Sequence, residues 1–231
     1  MKNQILAFIV FQFFLFNLVA TGQETTGGGE ENKTTLLFQD ETPLSISLRY
    51  SDKEMRRDTD DSTYLKTRLS YQTPNGEWDS LEVQLRARGN WRRENCFLTP
   101  VKMRIQKSAR KGTEFKGNKE LKLVLPCRNS EQGHDYVIKE YIAYKLFEVI
   151  SPYHFKTRRL KISYADLKGK KDKEYDLEGF MIEDISEVAK RCKAKRLKRK
   201  VHPLQQDART SIENDFFQYM IGNTDYSAAY Q

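Results

Sequence analysis

The sequence predicts an α+β domain: a strand-rich first half, one central helix, two further strands and a terminal helix. Three observations carry this. Apolar residues recur every second position from Leu44 to Ile105. The period then lengthens to that of a helix between His134 and Ile150. A second helical pattern, Ile212, Phe216, Phe217, Met220 and Ile221, closes the chain.

The first residues stand apart. Met1-Lys2-Asn3-Gln4 is a short positive start, Ile5 to Ala20 is apolar, and Ala20-Thr21-Gly22 supplies small residues for cleavage. Residues 1–22 therefore read as a secretory signal peptide, and its apolar run is too short for a spanning helix. The expected location is exported: periplasm, cell surface or secreted. No membrane span is expected after cleavage. Residues 23–40, with Gly27-Gly28-Gly29, are expected to form a flexible leader, and 41–231 the domain.

Within the domain, Leu44, Ile46, Leu48 and Tyr50 alternate with polar residues. So do Leu81 to Ala87, Val101 to Ile105 and Leu121 to Leu125. These are half-buried strands of an antiparallel sheet, with Pro74-Asn75-Gly76 as a turn. The helix from His134 has Asp135 as expected N-cap and Ser151-Pro152 as stop. Its apolar residues lie nearly all round, so it is expected to be covered on most sides. Strands over Leu160–Tyr164 and Gly179–Ile182 follow. Gly222 should end the last helix in the left-handed conformation, leaving Asp225 on a loop.

The formal net charge is +8, and residues 190–200 alone hold eight Lys or Arg and no acid. The charge thus describes one segment rather than a broad face, and nucleic acid is not the expected partner. The segment 190–200 is instead a candidate dock for an acidic partner: a phosphate, an acidic peptide or an anionic glycan. Three cysteines, Cys96, Cys127 and Cys192, allow three single pairings. Strand ends favour Cys96 with Cys127, which would cross-brace the sheet.

Two places could carry chemistry. Arg86-Ala87-Arg88-Gly89-Asn90 ends a strand in a glycine turn, where Arg88 and free backbone N–H groups could hold phosphate oxygens. Glu140 faces Val137, Ala143, Tyr144 and Phe147 at helical spacing, and a carboxylate there needs a cation. Lys122, on the strand before the helix, or Lys102, on the strand before that, could supply it.

In order, Arg88-Gly89-Asn90, Pro100-Val101-Lys102-Met103-Arg104-Ile105, the Glu140 helix, Gly179-Phe180-Met181-Ile182-Glu183-Asp184 and Tyr219-Met220-Ile221-Gly222-Asn223-Thr224-Asp225 resemble the spore-coat CotH-like family of secreted kinases, over roughly residues 80–231. The resemblance implies an atypical protein-kinase-like fold whose C-terminal lobe is mostly missing here. It implies phosphoryl transfer from ATP, with Mg²⁺ or Mn²⁺, to a protein hydroxyl in the full-length form. Asp225 would orient the acceptor hydroxyl, Glu140 would be the helix glutamate, Lys122 or Lys102 the phosphate lysine, and Glu183 would fall near the nucleotide base. The family's metal ligands would lie beyond Gln231, so transfer is not expected of the chain as given. The alternative is a non-catalytic secreted or envelope binding protein, because fold does not fix function and ATP is scarce outside the cytoplasm.

Overall fold

A computed structural model describes residues 34–89, 91–169, 171–197, 199 and 201–227. The expected signal peptide, the first part of the leader and Asn90 lie outside the described residues. Seven strands carry the fold: β1 (Leu44–Tyr50), β2 (Leu65–Gln72), β3 (Trp78–Ala87), β4 (Val101–Arg104), β5 (Glu120–Val124), β6 (Thr157–Asp166) and β7 (Lys173–Glu183). Five helices accompany them: α1 (Asp52–Asp58), α2 (Trp91–Asn95), α3 (Glu131–Ile150), α4 (Ile185–Arg191) and α5 (Ala208–Met220).

The strands close into a barrel in the order β1-β2-β3-β4-β5-β7-β6. All neighbours are antiparallel except β1 and β6, which run parallel with Leu44 opposite Leu160 and Tyr50 opposite Asp166. This overturns the expectation of a kinase-like lobe built on an antiparallel sheet. The local alternation was read correctly, but the pairing that joins the first strand to the sixth makes the sheet a mixed barrel.

The period-two residues fill the interior. Leu48, Leu69, Leu85, Met103, Leu121 and Met181 are fully buried there. Burial of each such side chain contributes about 1.5–3 kcal/mol. At Gly179 a Cβ would stand 2.7 Å from the Ile162 side chain and 2.8 Å from the Val124 carbonyl oxygen. Only glycine lets β7 lie this close to its neighbours.

A second, smaller core lies outside the barrel wall. Val124, Phe180 and Ile182 point outward and meet Val137, Tyr141 and Tyr144 of α3. The helix starts earlier than its apolar pattern indicated: Ser130, not Asp135, is the N-cap and accepts from the Gly133 N–H. It is also not covered on most sides. Of its residues only Gly133 and Val137 are buried, while Ile142, Leu146, Val149 and Ile150 are exposed. The single buried helix of the sequence reading is thus a helix packed along one side. Phe217 of α5 packs against Phe147 of α3 with ring centres 4.9 Å apart and the rings tilted, whereas Phe216 is 71% exposed. Gly222 ends α5 with φ of 67°.

Part of the expected leader is structural. Leu36–Phe38 form a 3-10 turn, and Leu37 and Phe38 are buried. Arg158, 3% exposed, donates to the carbonyls of Leu37 and Thr42, both at 3.1 Å, and to Asp40 at 2.7 Å. Residues 34–40 therefore belong to the domain. No helix among the described residues is long and apolar enough to cross a membrane.

Candidate functional site

The pairing of β3, β4, β5 and β7 sets Arg86, Lys102, Lys122 and Ile182 side by side in one row. Their chain neighbours Leu85, Met103 and Leu121 are in the core, so strand alternation turns this row outward. Two lysines directly opposite each other, Lys102 and Lys122, repel. The molecule neutralises most of the row with its own acids. Glu120 takes Lys102 at 2.5 Å and Arg104 at 3.1 Å, and Asp61 takes Arg86 at 2.7 Å.

Lys122 is different. Among the described residues no carboxylate lies within 4.0 Å of its ammonium, which sits 5.1 Å from the centre of the Phe155 ring. Burial first, then the charge of Arg88, hold its pKa below the ordinary lysine value. Asp184 opposes this, and Lys102 and Arg196 add to it. Arg88, just past the end of β3, is its counterpart. Its Nε is buried without a hydrogen-bond partner among the described residues. Burial also depresses its pKa, with Tyr144 and Glu140 acting in the opposite direction. Two part-buried cations thus lie near enough to feel each other's charge and short of negative charge, an arrangement that is costly unless an anion completes it.

The loop bearing Arg88 is held firmly. Cys96 is disulfide-bonded to Cys127, the Arg88 N–H donates to Pro100 O at 2.9 Å, and the Phe97 N–H donates to Cys127 O at 2.8 Å. Arg56 of α1 donates to the carbonyls of Arg93, Cys96 and Phe97. The corner beside Lys122 is therefore fixed before any ligand arrives.

Glu140 does not pair with a strand lysine. It meets Arg92 of α2 at 3.6 Å, while Lys102 is engaged by Glu120 and Lys122 by no carboxylate among the described residues. Glu183, 5% exposed, accepts from the Lys156 N–H at 2.6 Å and from Arg191. Through its Oε1 it serves as a clamp between the start of β6, the end of β7 and α4. Asp184 caps α4 through the Ser186 N–H at 2.9 Å. Its influence on Lys122 was not foreseen from the sequence, although its place beside Glu183 at a strand end was a readable signal.

A groove of about 730 Å³ runs between α3 and α5. Arg92, Glu140, Tyr144, Phe155, Phe217 and Asn223 are among its lining residues. Asp225 is exposed just past it, its N–H donating to Asn223 Oδ1 at 3.3 Å. The structure therefore gathers Arg88, Lys122, Lys102 and Asp184 at one place and Glu140 with Arg92 beside it. Among the described residues none of these cations forms an ion pair with Asp225. Among the described residues no group of three or more His, Cys, Asp or Glu side chains is arranged to hold a metal ion. The cationic corner does fit the oxygens of a phosphate.

Searches against protein-family models, curated proteins and solved structures find no match to this chain.

Proposed function

We propose that this chain is an exported protein that binds a phosphate ester of the nucleotide class at the outer barrel face around Lys122. The observation that carries the reading is the pair Lys122 and Arg88: both part-buried, one with no carboxylate within 4.0 Å among the described residues, the other with an unpartnered Nε. Phosphate oxygens would accept from both. The rings of Phe155 and Tyr144, which stand edge-on at 6.4 Å, give the adjoining wall an apolar surface for the rest of the ligand. The resemblance to CotH-like proteins supports a nucleotide, ATP above all. Export is supported by the signal-like start and is compatible with the disulfide.

The test is calorimetric titration with ATP, ADP and inorganic phosphate. Saturable binding of a nucleotide is expected, weakened about tenfold or more in Lys122→Ala and in Arg88→Ala, the size of loss usual for a charge-assisted hydrogen bond. Absence of binding by every phosphate tested, or binding untouched by both substitutions, overturns the reading.

A second reading is phosphoryl transfer to a protein hydroxyl, with Asp225 orienting the acceptor. It is favoured by Asn223, which lines the groove and bonds the Asp225 N–H. Labelled ATP with Mg²⁺ or Mn²⁺ tests it: transfer abolished by Asp225→Ala supports catalysis by these residues, and binding without transfer leaves the binding reading as the activity of the chain as given.

A further inference from the structure

The segment after α4 has no acidic residue between Glu187 and Asp207. Lys193, Lys195, Arg196 and Arg199 are exposed, and among the described residues none of the four forms an ion pair. Lys198 and Lys200 lie outside the described residues. Charge runs are usually just solvated, so what distinguishes this one is its placement.

The end of α4 is pinned to the turn before β6. Arg191 donates to His154 O at 2.7 Å, and the Cys192 Sγ–H to Pro152 O at 3.6 Å. Tyr153 and Phe155, on either side of His154, line the groove between α3 and α5. The basic segment therefore departs from the rim of that groove. The positive charge of Arg196 also depresses the pKa of Lys122, whose ammonium lies over the Phe155 ring. The hydrogen bonds of Arg191 and Cys192 thus fix the start of the basic segment at the groove rim.

The groove itself is apolar in its main part. Ile142, Leu146 and Ile221 line it and remain exposed, and Phe147 and Phe217 form its floor. Exposed aliphatic side chains beside a one-signed rim match a ligand that has both characters.

We propose that the groove between α3 and α5 and the basic segment at its rim form one docking surface for an acidic, amphipathic polypeptide segment. Apolar side chains of the partner would enter the groove while its carboxylates meet Lys193, Lys195, Arg196 and Arg199. A polypeptide fits better than a purely ionic polymer, because such a polymer gains nothing from Ile142, Leu146 and Ile221. The surface shares the Tyr144 and Phe155 wall with the phosphate reading but uses neither the Lys122 ammonium nor Arg88 as a contact, so Lys122→Ala and Arg88→Ala should leave peptide binding unchanged.

The test is fluorescence anisotropy with a labelled Glu-rich helical peptide carrying Leu at i, i+3, i+4 and i+7, beside the same peptide with Ser at those positions. Binding is expected for the Leu peptide, falling with added salt and about tenfold or more weaker for the Ser peptide. It should be comparably weakened in the triple variant Lys193→Glu, Lys195→Glu, Arg196→Glu and in Ile142→Asp. Hydrogen exchange on the unaltered protein gives a readout free of folding effects: amides of 142–147 and 217–221 should gain protection when the Leu peptide is added. Equal binding of the two peptides, tighter binding to phosphatidylglycerol vesicles or to a sulfated polysaccharide, or no gain in protection each overturns the proposal.

Discussion

Lys122 sits where stability and binding pull in opposite directions. Opposite Lys102 and close to Arg88, its charge disfavours the folded chain, and its lowered pKa reports this. Below the ordinary lysine pKa the unfolded chain holds that proton more readily than the folded one, so the penalty is present at neutral pH and fades as pH rises through the folded value. Lys122→Met, which keeps the stem over Phe155 and removes the charge, should therefore raise stability by up to about 1 kcal/mol while phosphate binding falls. Urea titration beside calorimetry would show the two effects with opposite sign. Lys122 and Lys102 could be found from alternation alone, since an outward lysine one residue from core leucines is visible in Leu121-Lys122-Leu123. Which acid would neutralise which lysine was not legible. Glu120 and Lys102 are on neighbouring strands, and only the register shows that Glu120 also reaches Arg104 and leaves nothing for Lys122.

Among the elements, the strands announced themselves because each has a wet face and a dry face. The helix α3 misled because its apolar residues serve two different neighbours, the barrel wall under Val137 and the groove beside Phe147, and several serve neither. The N-terminal turn was misread for the opposite reason. Leu36, Leu37 and Phe38 are too short a run to show a period, and what holds them is Arg158, far along the chain on β6. Arg158 is also 3.7 Å from Glu114, whose pKa burial raises and Arg158 lowers. Arg158→Ala should cost about 3 kcal/mol, the usual loss on breaking a buried ion pair. Amides of 36–42 should then exchange faster than the rest of the domain. Uniform exchange across the domain would show that the turn is held by Leu37 and Phe38 alone.

For the molecule as a whole, Glu148 is the acid-sensitive junction between α3 and β6. Burial would raise its pKa, but hydrogen bonds from Lys156 and Lys145 outweigh this and lower it. His154, 3.8 Å away, has its own pKa lowered by burial, and Glu41 shares Lys145. With the folded pKa below the unfolded one, the stability from Glu148 is present at neutral pH. It is lost as pH falls below the ordinary glutamate value and through the folded one. The melting temperature should drop over that range, and Glu148→Gln should make the drop shallower. An identical acid profile in the variant would assign the loss to other carboxylates.

The parallel partnership of β1 with β6 also sets an order of events. A chain made or threaded through a pore from its N-terminus presents β1 to the surroundings long before β6 exists, since the partners are separated by more than a hundred residues. Until then the β1 flank of the sheet is an open hydrogen-bonding edge, and long-range pairing of the kind that closes it is slow to form. A nascent chain of this protein therefore needs a guardian, or a quick passage, between the emergence of its first strand and its sixth.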